Sequence, residues 1–312
     1  MHALHLTLRQ LQIFVAIARS GSTTLASGEV ALSQSATSSA LNELERLLSM
    51  QLFDRAGKRL LLNDNGRALL PRALALLDGA ADIERMAAGH SLALQSLRIG
   101  ASTTIGNYVL PELLAPGFQG PDAGEPSWRA TVKIGNTADI CDALAAFELD
   151  VGLIEGPCHQ PALDASPWLR DAMVVVAAPG SPLAQLAGLS SPGASPASVE
   201  LLADQVWLLR EGGSGTREAT DQALLPHLQA YRRSIELGSS EAIKRFVAEG
   251  VGVACLSSWV VADMLADGRL VRIDTRLPPL VRQCYLVVHR AKHPTLALLS
   301  FVEQANAHAN RW

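Results

Sequence analysis

Short apolar runs that alternate with helical stretches beyond residue 96 restrict the fold of this chain more than any other feature. LRIGA, TVKIG and DVGLIEG begin at residues 97, 131 and 150, and QVWLL, IELG and VGVACL follow at residues 205, 235 and 251. Buried parallel strands read as nearly continuous apolar runs, and parallel pairing requires long crossover connections such as helices. We therefore expect an α/β body built from two similar halves.

Two further apolar runs provide the connections between these halves. AMVVVAAPG at residues 172–180 and CYLVVHR at residues 284–290 are the natural strands to cross from one half to the other. In that arrangement the second half is inserted within the first. We predict lobe I over residues 97–165 and 269–312 and lobe II over residues 166–268.

Small polar residues follow several of the predicted strands. They are Ser102, Thr103 and Thr104, then Asn136 and Thr137, then Ser214 and Thr216 in REGGSGTRE, and Ser239 and Ser240 in LGSSEAI. In an open α/β sheet the ligand crevice lies beyond the carboxyl ends of the strands. Helix N-termini at that edge supply free amides and partial positive charge, which together with hydroxyls favour a small anion. The alternative is that each residue is an ordinary N-cap.

The first 63 residues have the pattern of a helix-turn-helix followed by a β-hairpin. Apolar residues at positions 8, 11, 14, 15 and 18 have helical spacing, and a short helix is expected over residues 24–30. Ser33 stands at the N-cap position of a longer helix over residues 34–48. A strand ending near Arg55, a glycine-containing turn and a strand over residues 60–62 then lead to a helix cap at Asn63.

The helix over residues 34–48 presents a small polar face. A helical wheel places Ala36, Ala40, Leu44, Leu47 and Leu48 on one side and Ser35, Ser38, Ser39, Asn42 and Arg46 on the other. Small hydroxyls let a helix approach a DNA groove closely, and Gln34 can make paired contacts with adenine. The hairpin cations Arg55, Lys58 and Arg59 can neutralise phosphates. The alternatives are a solvated helix face and an exposed basic hairpin.

The charge of the chain is divided unevenly. Residues 1–72 hold eight Lys/Arg and five Asp/Glu, a balance of +3, whereas residues 73–312 hold 18 and 25, a balance of −7. A basic N-terminal segment on an acidic body favours contact of that segment alone with a polyanion.

A wide apolar stripe runs through the helix expected over residues 64–90. A helix with such a stripe needs a partner along its length, and the basic segment before it is too small to cover that surface. Pro71 falls within this helix and is expected to kink it.

Three segments resemble the N-terminal winged helix-turn-helix of the LysR-type transcriptional regulators: LRQLQIFVAIARSGSTTLAS, LSQSATSSALNELERLLSMQLFDR and LLLNDNGRALL. The resemblance covers about residues 7–90. It implies that Gln34, Ser35, Ser38 and the position of Ser39 face DNA, with Arg55 and the hairpin near the backbone. It also implies that residues 64–90 form a dimer interface, which spaces two recognition helices about 34 Å apart. This chain departs from the family pattern at Ser39, where a long basic or amide side chain is common.

The body beyond residue 96 resembles the effector domains of the same family, which have the two-lobed architecture of periplasmic binding proteins. STTIGNYVLP and REGGSGTR look most like the branch that regulates sulfur assimilation and autotrophic carbon fixation, whose effectors include sulfur oxyanions and small phosphorylated or carboxylated metabolites. The resemblance assigns six residues to the effector cleft: Ser102, Thr104, Asn136, Thr137, Ser214 and Thr216. The chain is thus expected to be a homodimer or homotetramer that binds promoter DNA and a small anionic effector, with RNA polymerase as a further candidate partner.

Other classes of protein fit the sequence less well. The segment GGSGT lacks the final glycine of the G-x-S-x-G nucleophile motif, and neither a G-K-[S/T] phosphate loop nor H-E-x-x-H occurs, so we expect no catalysis, cofactor or metal. A solute-binding protein would need an export signal and would have no use for residues 1–90. The four cysteines form no C-x-x-C pair and are expected to be buried free thiols of a cytoplasmic protein. No apolar run reaches the length of about 18 residues that a membrane span needs.

Overall fold

A computed structural model describes residues 5–57, 59–87, 95–115, 128–186 and 196–310. The chain divides into two compact units. The first comprises Met1–Gln95 with Ala291–His293, and the second comprises Ser96–Arg290 with Pro294–Trp312.

The first unit is a helix-turn-helix with a β-hairpin and a long helix. Its elements are α1 (Leu8–Ser20), α2 (Thr23–Glu29), α3 (Gln34–Leu48), β1 (Phe53–Ala56), β2 (Arg59–Leu62) and α4 (Asp64–Ala87). The N-cap predicted at Ser33 is confirmed, because its side chain accepts a hydrogen bond from the amide of Ala36. Asn63 likewise accepts from the amide of Gly66 at 3.0 Å, as expected for the cap of α4.

The core of the first unit is formed by one face of α1 and the buried side of α3. Phe14 and Leu44 are fully buried, and the rings of Phe14 and Phe53 lie 5.6 Å apart. The wheel drawn from the sequence was wrong for Ala36, which is exposed. The buried side of α3 is instead formed by Thr37, Leu41, Leu44 and Glu45. Thr37 can be buried because it donates to the carbonyl of Ser33, which satisfies its hydroxyl within the helix.

Helix α4 continues through Pro71 and is described as far as Ala87. Leu76 and Ile83 of this helix are exposed, at 55% and 68%. The predicted continuation over residues 88–90 lies outside the described residues, and the dimer interface on this helix stays a prediction, as does the kink at Pro71.

The second unit is the expected α/β body. Its first elements are β3 (Gln95–Ser102), α5 (Thr103–Tyr108), α6 (Leu110–Leu114), β4 (Trp128–Gly135), α7 (Thr137–Ala145) and β5 (Val151–Glu155). The long strand β6 (Leu163–Ala177) leads to α8 (Pro182–Leu186), α9 (Val199–Ala203), β7 (Val206–Arg210), α10 (Gly215–Leu228) and β8 (Arg233–Leu237). The remaining elements are α11 (Ser240–Ala248), β9 (Ala254–Ser257), α12 (Ser258–Ala266), β10 (Val271–Arg272), β11 (Val281–His289) and α13 (Leu296–Ala309).

Strand β6 joins the two lobes of this unit. From Leu163 to Ala172 it pairs antiparallel with β11, which in turn pairs with β5. From Met173 onward it pairs with β9 and β10 instead. The strand path runs β10-β6-β11-β5-β3-β4, and β7 and β8 form a separate parallel pair. The lobe boundaries at 165/166 and 268/269 remain predictions, and the exchange of strand partners lies at Ala172/Met173.

Candidate effector site and nucleic-acid interface

Helix α3 displays the polar residues that the sequence singled out for DNA contact. Gln34, Ser35, Ser39 and Asn42 are exposed, and Ser38 is half-buried. The hydroxyls of Ser33 and Ser35 lie 3.0 Å apart, and Gln34 donates to Thr23 of α2 at 3.4 Å. The predicted face is therefore presented by one helix, next to the N-terminus of α2.

The β-hairpin carries the predicted wing cations. Arg55 lies opposite Leu60, and Arg59 lies opposite Ala56, in an antiparallel pair. Both arginines are exposed. Lys58, the third predicted cation, lies outside the described residues. Gly57 has a φ of +63°, a left-handed conformation that suits glycine at the turn of this hairpin.

In the second unit, most of the predicted effector residues meet around one residue that the sequence reasoning did not name. Glu155 ends β5 and is 2% exposed. Its Oε1 accepts from the hydroxyl of Ser102 at 2.9 Å, from the amide of Thr104 at 2.8 Å and from the amide of Ile105 at 3.2 Å. The N-terminal end of α5 thus holds a carboxylate of the chain itself.

The other lobe approaches the same carboxylate. Thr216 of α10 donates its hydroxyl to Oε2 of Glu155 at 3.1 Å. The backbone carbonyl of Glu155 also accepts the hydroxyl of Thr137 at 3.0 Å. A Cβ at Gly215 would lie 1.8 Å from that carbonyl oxygen, so only glycine allows α10 to begin at this distance from β5.

Arg282 of β11 connects Glu155 to a second buried acid. Its Nη1 lies 2.8 Å from Oε2 of Glu155, and its Nε lies 2.7 Å from Oδ2 of Asp171 on β6. Asp171 also accepts the hydroxyl of Ser257, at the start of α12, at 2.8 Å. These four buried residues join both lobes through the strands β6 and β11 that run between them.

The two carboxylates differ in how well their charge is stabilised. Burial alone would raise the pKa of Glu155, but Arg282, Ser102 and the amide of Ile105 together hold that pKa below its usual range. Burial raises the pKa of Asp171 above its ordinary value, and Arg282 and Ser257 only partly oppose this. The larger set of donors around Glu155 explains the difference, so Glu155 is the firmly ionised member of the pair.

The remaining predicted effector residues have other partners. Asn136 caps α7 by accepting from the amide of Asp139 at 2.9 Å, and Ser214 caps α10 by accepting from the amide of Arg217 at 3.5 Å. Thr103 donates to the carbonyl of Gly135 at 3.0 Å. The hydroxyl of Thr104 is buried and has no hydrogen-bond partner within the described part of the chain. Asn136 and Ser214 are therefore the ordinary N-caps of the alternative interpretation, and contact with a ligand stays a prediction.

The sequence contained a signal for Glu155 that the helix-cap reasoning did not use. DVGLIEG places an acid at the end of a run whose five strand residues are all buried. A buried carboxylate needs a cation or several donors. Its partner Arg282 is a buried cation at the second position of VRQCYLVVH, the strand that lies beside β5.

Neither a metal centre nor a membrane span is found among the described residues. Across the described residues, no three or more His, Cys, Asp or Glu side chains are grouped so that they could hold a metal ion. Within the same ranges, no helix combines the length and apolar character needed to cross a bilayer.

A helix-turn-helix with a hairpin, followed by a two-lobed α/β body, defines a DNA-binding regulator with an effector domain. Residues 8–67 match the family described as bacterial regulatory helix-turn-helix protein, lysR family, and residues 91–310 match the LysR substrate binding domain. The chain belongs to the LysR family of transcriptional regulators, and it is accordingly a regulator and not an enzyme. The helix-turn-helix also excludes the alternative of a solute-binding protein without a regulatory role.

Similar proteins support this family over the whole chain. The chain is 46% identical over 300 residues to an uncharacterised HTH-type transcriptional regulator, YeiE, of Escherichia coli (strain K12), with coverage of 96% of this chain and 97% of YeiE. It is 31% identical to a RuBisCO operon transcriptional regulator of Allochromatium vinosum, with coverage of 99% and 98%.

A solved structure matches the second unit. The regulatory domain of CcmR from Synechocystis PCC6803, in complex with 2-PG, is similar to this chain with a TM-score of 0.59 and 29% identity, covering 69% of this chain and 97% of that domain. The resemblance to LysR-type regulators, including those of carbon fixation, is thereby confirmed.

Proposed function

We propose that this regulator binds promoter DNA through α3 and the β1–β2 hairpin, and that a small anionic effector bound between the lobes of the second unit controls the binding. The coupling is a population shift, in which the effector favours one arrangement of the effector domains and so changes the spacing of the DNA-binding domains. An effector can shift this equilibrium only through a difference in its affinity for the two states.

The observation that carries the anion proposal is the environment of Glu155. A carboxylate that is 2% exposed stays ionised because the start of α5, two hydroxyls and Arg282 stabilise it. The donors around Glu155 are occupied by that carboxylate, so a bound oxyanion would be held beside it by the N-terminal ends of α7 and α10. The buried hydroxyl of Thr104, which lacks a partner in the described chain, is a free donor at this place.

The predicted effector residues divide into two roles in this proposal. Thr104, Asn136 and Ser214 would contact the effector, because they lie at helix N-termini that follow the carboxyl ends of strands. Ser102 and Thr216 donate to Glu155 and would act through that carboxylate. Thr137 and Thr103 donate to backbone carbonyls and would fix the loops around the site. That the regulatory domain of CcmR was solved with 2-PG supports a small-molecule site in this domain.

Thermal shift against a panel of sulfate, sulfite, thiosulfate, phosphate and small organic acids tests the effector proposal. We expect at least one anion to raise the melting temperature in a concentration-dependent manner. Thr104→Val combined with Thr137→Val should abolish that shift. The matched control is Thr220→Val, which removes a buried hydroxyl of α10 that bonds to backbone carbonyls. Stabilisation that survives the double substitution, or no stabilisation by any anion, contradicts the proposal.

The DNA proposal rests on the exposed polar face of α3 beside an exposed basic hairpin. DNA selected by the wild-type protein from a random-sequence pool provides the probe for gel-shift titration. Arg55→Ala should weaken binding to all DNA sequences, because it removes one phosphate contact. The slope of the logarithm of the binding constant against the logarithm of the salt concentration should fall in magnitude by about 1. Ser38→Ala should reduce the difference in affinity between the selected DNA and random-sequence DNA. Arg72→Ala on α4 removes an equal charge outside the proposed interface and should leave binding unchanged.

The assembly and its location follow from the same proposal. An exposed apolar stripe on α4, with Leu76 and Ile83, favours a homodimer, and two dimers would give a tetramer. A promoter-binding regulator acts in the cytoplasm, where RNA polymerase is a candidate partner. Light scattering of the full chain separates dimer from tetramer, and a monomer at micromolar concentration would contradict the proposed interface.

A further inference from the structure

Two cysteines that are distant in the sequence lie next to each other in the second unit. The Sγ atoms of Cys141 and Cys158 are 3.7 Å apart, although the residues are separated by 17 positions. Cys141 belongs to α7, and Cys158 lies in the irregular segment between β5 and β6. A disulfide bond requires about 2.05 Å between the sulfur atoms, so a gap of about 1.7 Å would have to close.

Two hydrogen bonds hold the segments that carry these cysteines together. On one side of the pair, Thr137 donates to the carbonyl of Glu155 at 3.0 Å. On the other side, Gln160 donates to Oδ1 of Asp142 at 2.6 Å. The thiols are therefore held close together, and formation of the disulfide requires only a local adjustment around Cys158.

We propose that Cys141 and Cys158 form a reversible thiol–disulfide site that a hydroperoxide oxidises. This role is independent of the proposed anionic effector.

The surroundings of the two thiols assign them different roles. Cys158 is partly exposed and can meet a peroxide from solvent. Cys141 is 4% exposed within the apolar cluster of α7 and β5, where burial raises the pKa of its thiol. An accessible thiol is suited to attack the peroxide, and a buried thiol beside it is suited to attack the sulfenic acid that results.

The reaction balances with one equivalent of peroxide. The thiolate of Cys158 attacks one oxygen of the hydroperoxide, the O–O bond breaks, and the leaving oxygen takes up a proton as water or an alcohol. Cys158 is then a sulfenic acid. The sulfur of Cys141 attacks the sulfenic sulfur, the S–O bond breaks, and the released hydroxide combines with the proton of Cys141 as water. A dithiol reductant reverses the process.

The other two cysteines provide internal controls. Cys255 and Cys284 are 3% and 0% exposed, and burial raises the pKa of each thiol to about 12. They should not react under conditions that oxidise the pair.

Tryptic digestion separates these cysteines conveniently. Cys141 and Cys158 share the fragment 134–170, while Cys255 falls in the fragment 246–269 and Cys284 in the fragment 283–290. The reduced full-length protein is treated with hydrogen peroxide, denatured in N-ethylmaleimide and digested. We expect fragment 134–170 to carry no maleimide and to have lost two hydrogens, while each of the other fragments carries one maleimide. Dithiothreitol before labelling should restore two maleimides to fragment 134–170.

Single substitutions test the order of the steps. Cys141→Ser should leave a sulfenic acid on Cys158 that dimedone traps. Cys158→Ser should slow peroxide-dependent loss of the remaining label on fragment 134–170 by at least about tenfold, because the accessible thiol is gone. Two labels on fragment 134–170 after peroxide, or a disulfide that joins two different fragments, would overturn the proposal.

Discussion

Replacing Arg282 with methionine would remove the cation that faces both buried carboxylates. Methionine keeps an unbranched apolar stem of similar length, so the change removes charge and hydrogen bonds more than volume. Glu155 and Asp171 would remain, at 2% and 0% exposure, without the guanidinium that now lies within 2.8 Å of each. Their uncompensated charge is the source of the expected instability.

The magnitude follows from the cost of breaking a buried ion pair by removing one partner. That cost is about 3–5 kcal/mol, because the partner left behind is still buried. For a unit of this size each kcal/mol lowers the melting temperature by about 2–4 °C, so the loss should be about 6–20 °C. Arg232→Met is the matched control, since Arg232 pairs with Asp204 on the surface with its side chain 69% exposed. An exposed pair contributes at most about 1 kcal/mol.

The pH dependence of the deficit distinguishes lost charge pairing from lost packing. In the wild type the pKa of Glu155 is depressed, so its stabilisation is present above the unfolded pKa and is lost only as pH falls through the lower folded pKa. Asp171 has a raised pKa, so its charge costs stability at neutral pH and the cost is relieved as pH falls through that pKa. Without Arg282, burial raises both pKa values. The deficit of the variant should therefore shrink as the pH is lowered from above neutrality into the acid range.

Melting temperatures of the full-length wild type, Arg282→Met and Arg232→Met, measured across that pH range, test the prediction. A deficit no larger than that of the control would mean that the buried network contributes little to stability. A large deficit that does not change with pH would show that packing, and not charge, is the cause.

Three smaller predictions concern a helix cap, two glycines and the hydroxyl of a tyrosine. Ser33→Ala should destabilise the first unit by about 1 kcal/mol in urea unfolding, since it removes the N-cap of α3; an unchanged midpoint contradicts this role. Gly28→Ala should stabilise the first unit by about 0.5–1 kcal/mol, because the added Cβ would meet nothing within 4 Å. Gly66→Ala should destabilise the same unit, because the added Cβ would lie 2.2 Å from the carbonyl oxygen of Leu52. Changes of the same sign in the melting temperatures of the two variants would refute the comparison. Tyr108→Phe should cost about 1 kcal/mol through its lost bond to a carboxylate of α11, and a thermal melt equal to the wild type would exclude that contribution.

The architecture was accessible from the sequence because it depends on local and periodic features. Ser33 and Asn63 cap the helices that the spacing predicted, and the apolar runs became the strands β3, β5, β7 and β9 at nearly the expected positions. Each of these features is determined by residues within a few positions of each other, so a single sequence contains it.

The candidate site could be predicted from the sequence only in part, because its central residues are brought together by the order of the strands in the sheet. Ser102, Thr104 and Thr216 were recognised from their positions after strands, but nothing in that pattern shows which acid their hydroxyls and amides surround. Glu155 and Arg282 are separated by 127 positions and meet because β11 lies beside β5. A helix N-terminus that binds a ligand and one that binds a carboxylate of its own chain have the same local sequence. For the same reason, the sequence alone did not predict that Cys141 and Cys158 lie next to each other.

The position of β11 has a consequence for the way the chain can fold as it is synthesised. Strands β3, β4 and β5 emerge from the ribosome early, yet the neighbour that covers the edge of β5 is made only with residues 281–289. By contrast, the partners of the second half of β6, which are β9 and β10, have both been synthesised when the chain reaches Arg272. The inserted lobe can therefore close its sheet before the lobe that encloses it. Until translation passes His289, β5 presents an open edge to other nascent chains, so premature stop codons between Arg272 and Val281 should yield aggregates and not truncated regulators.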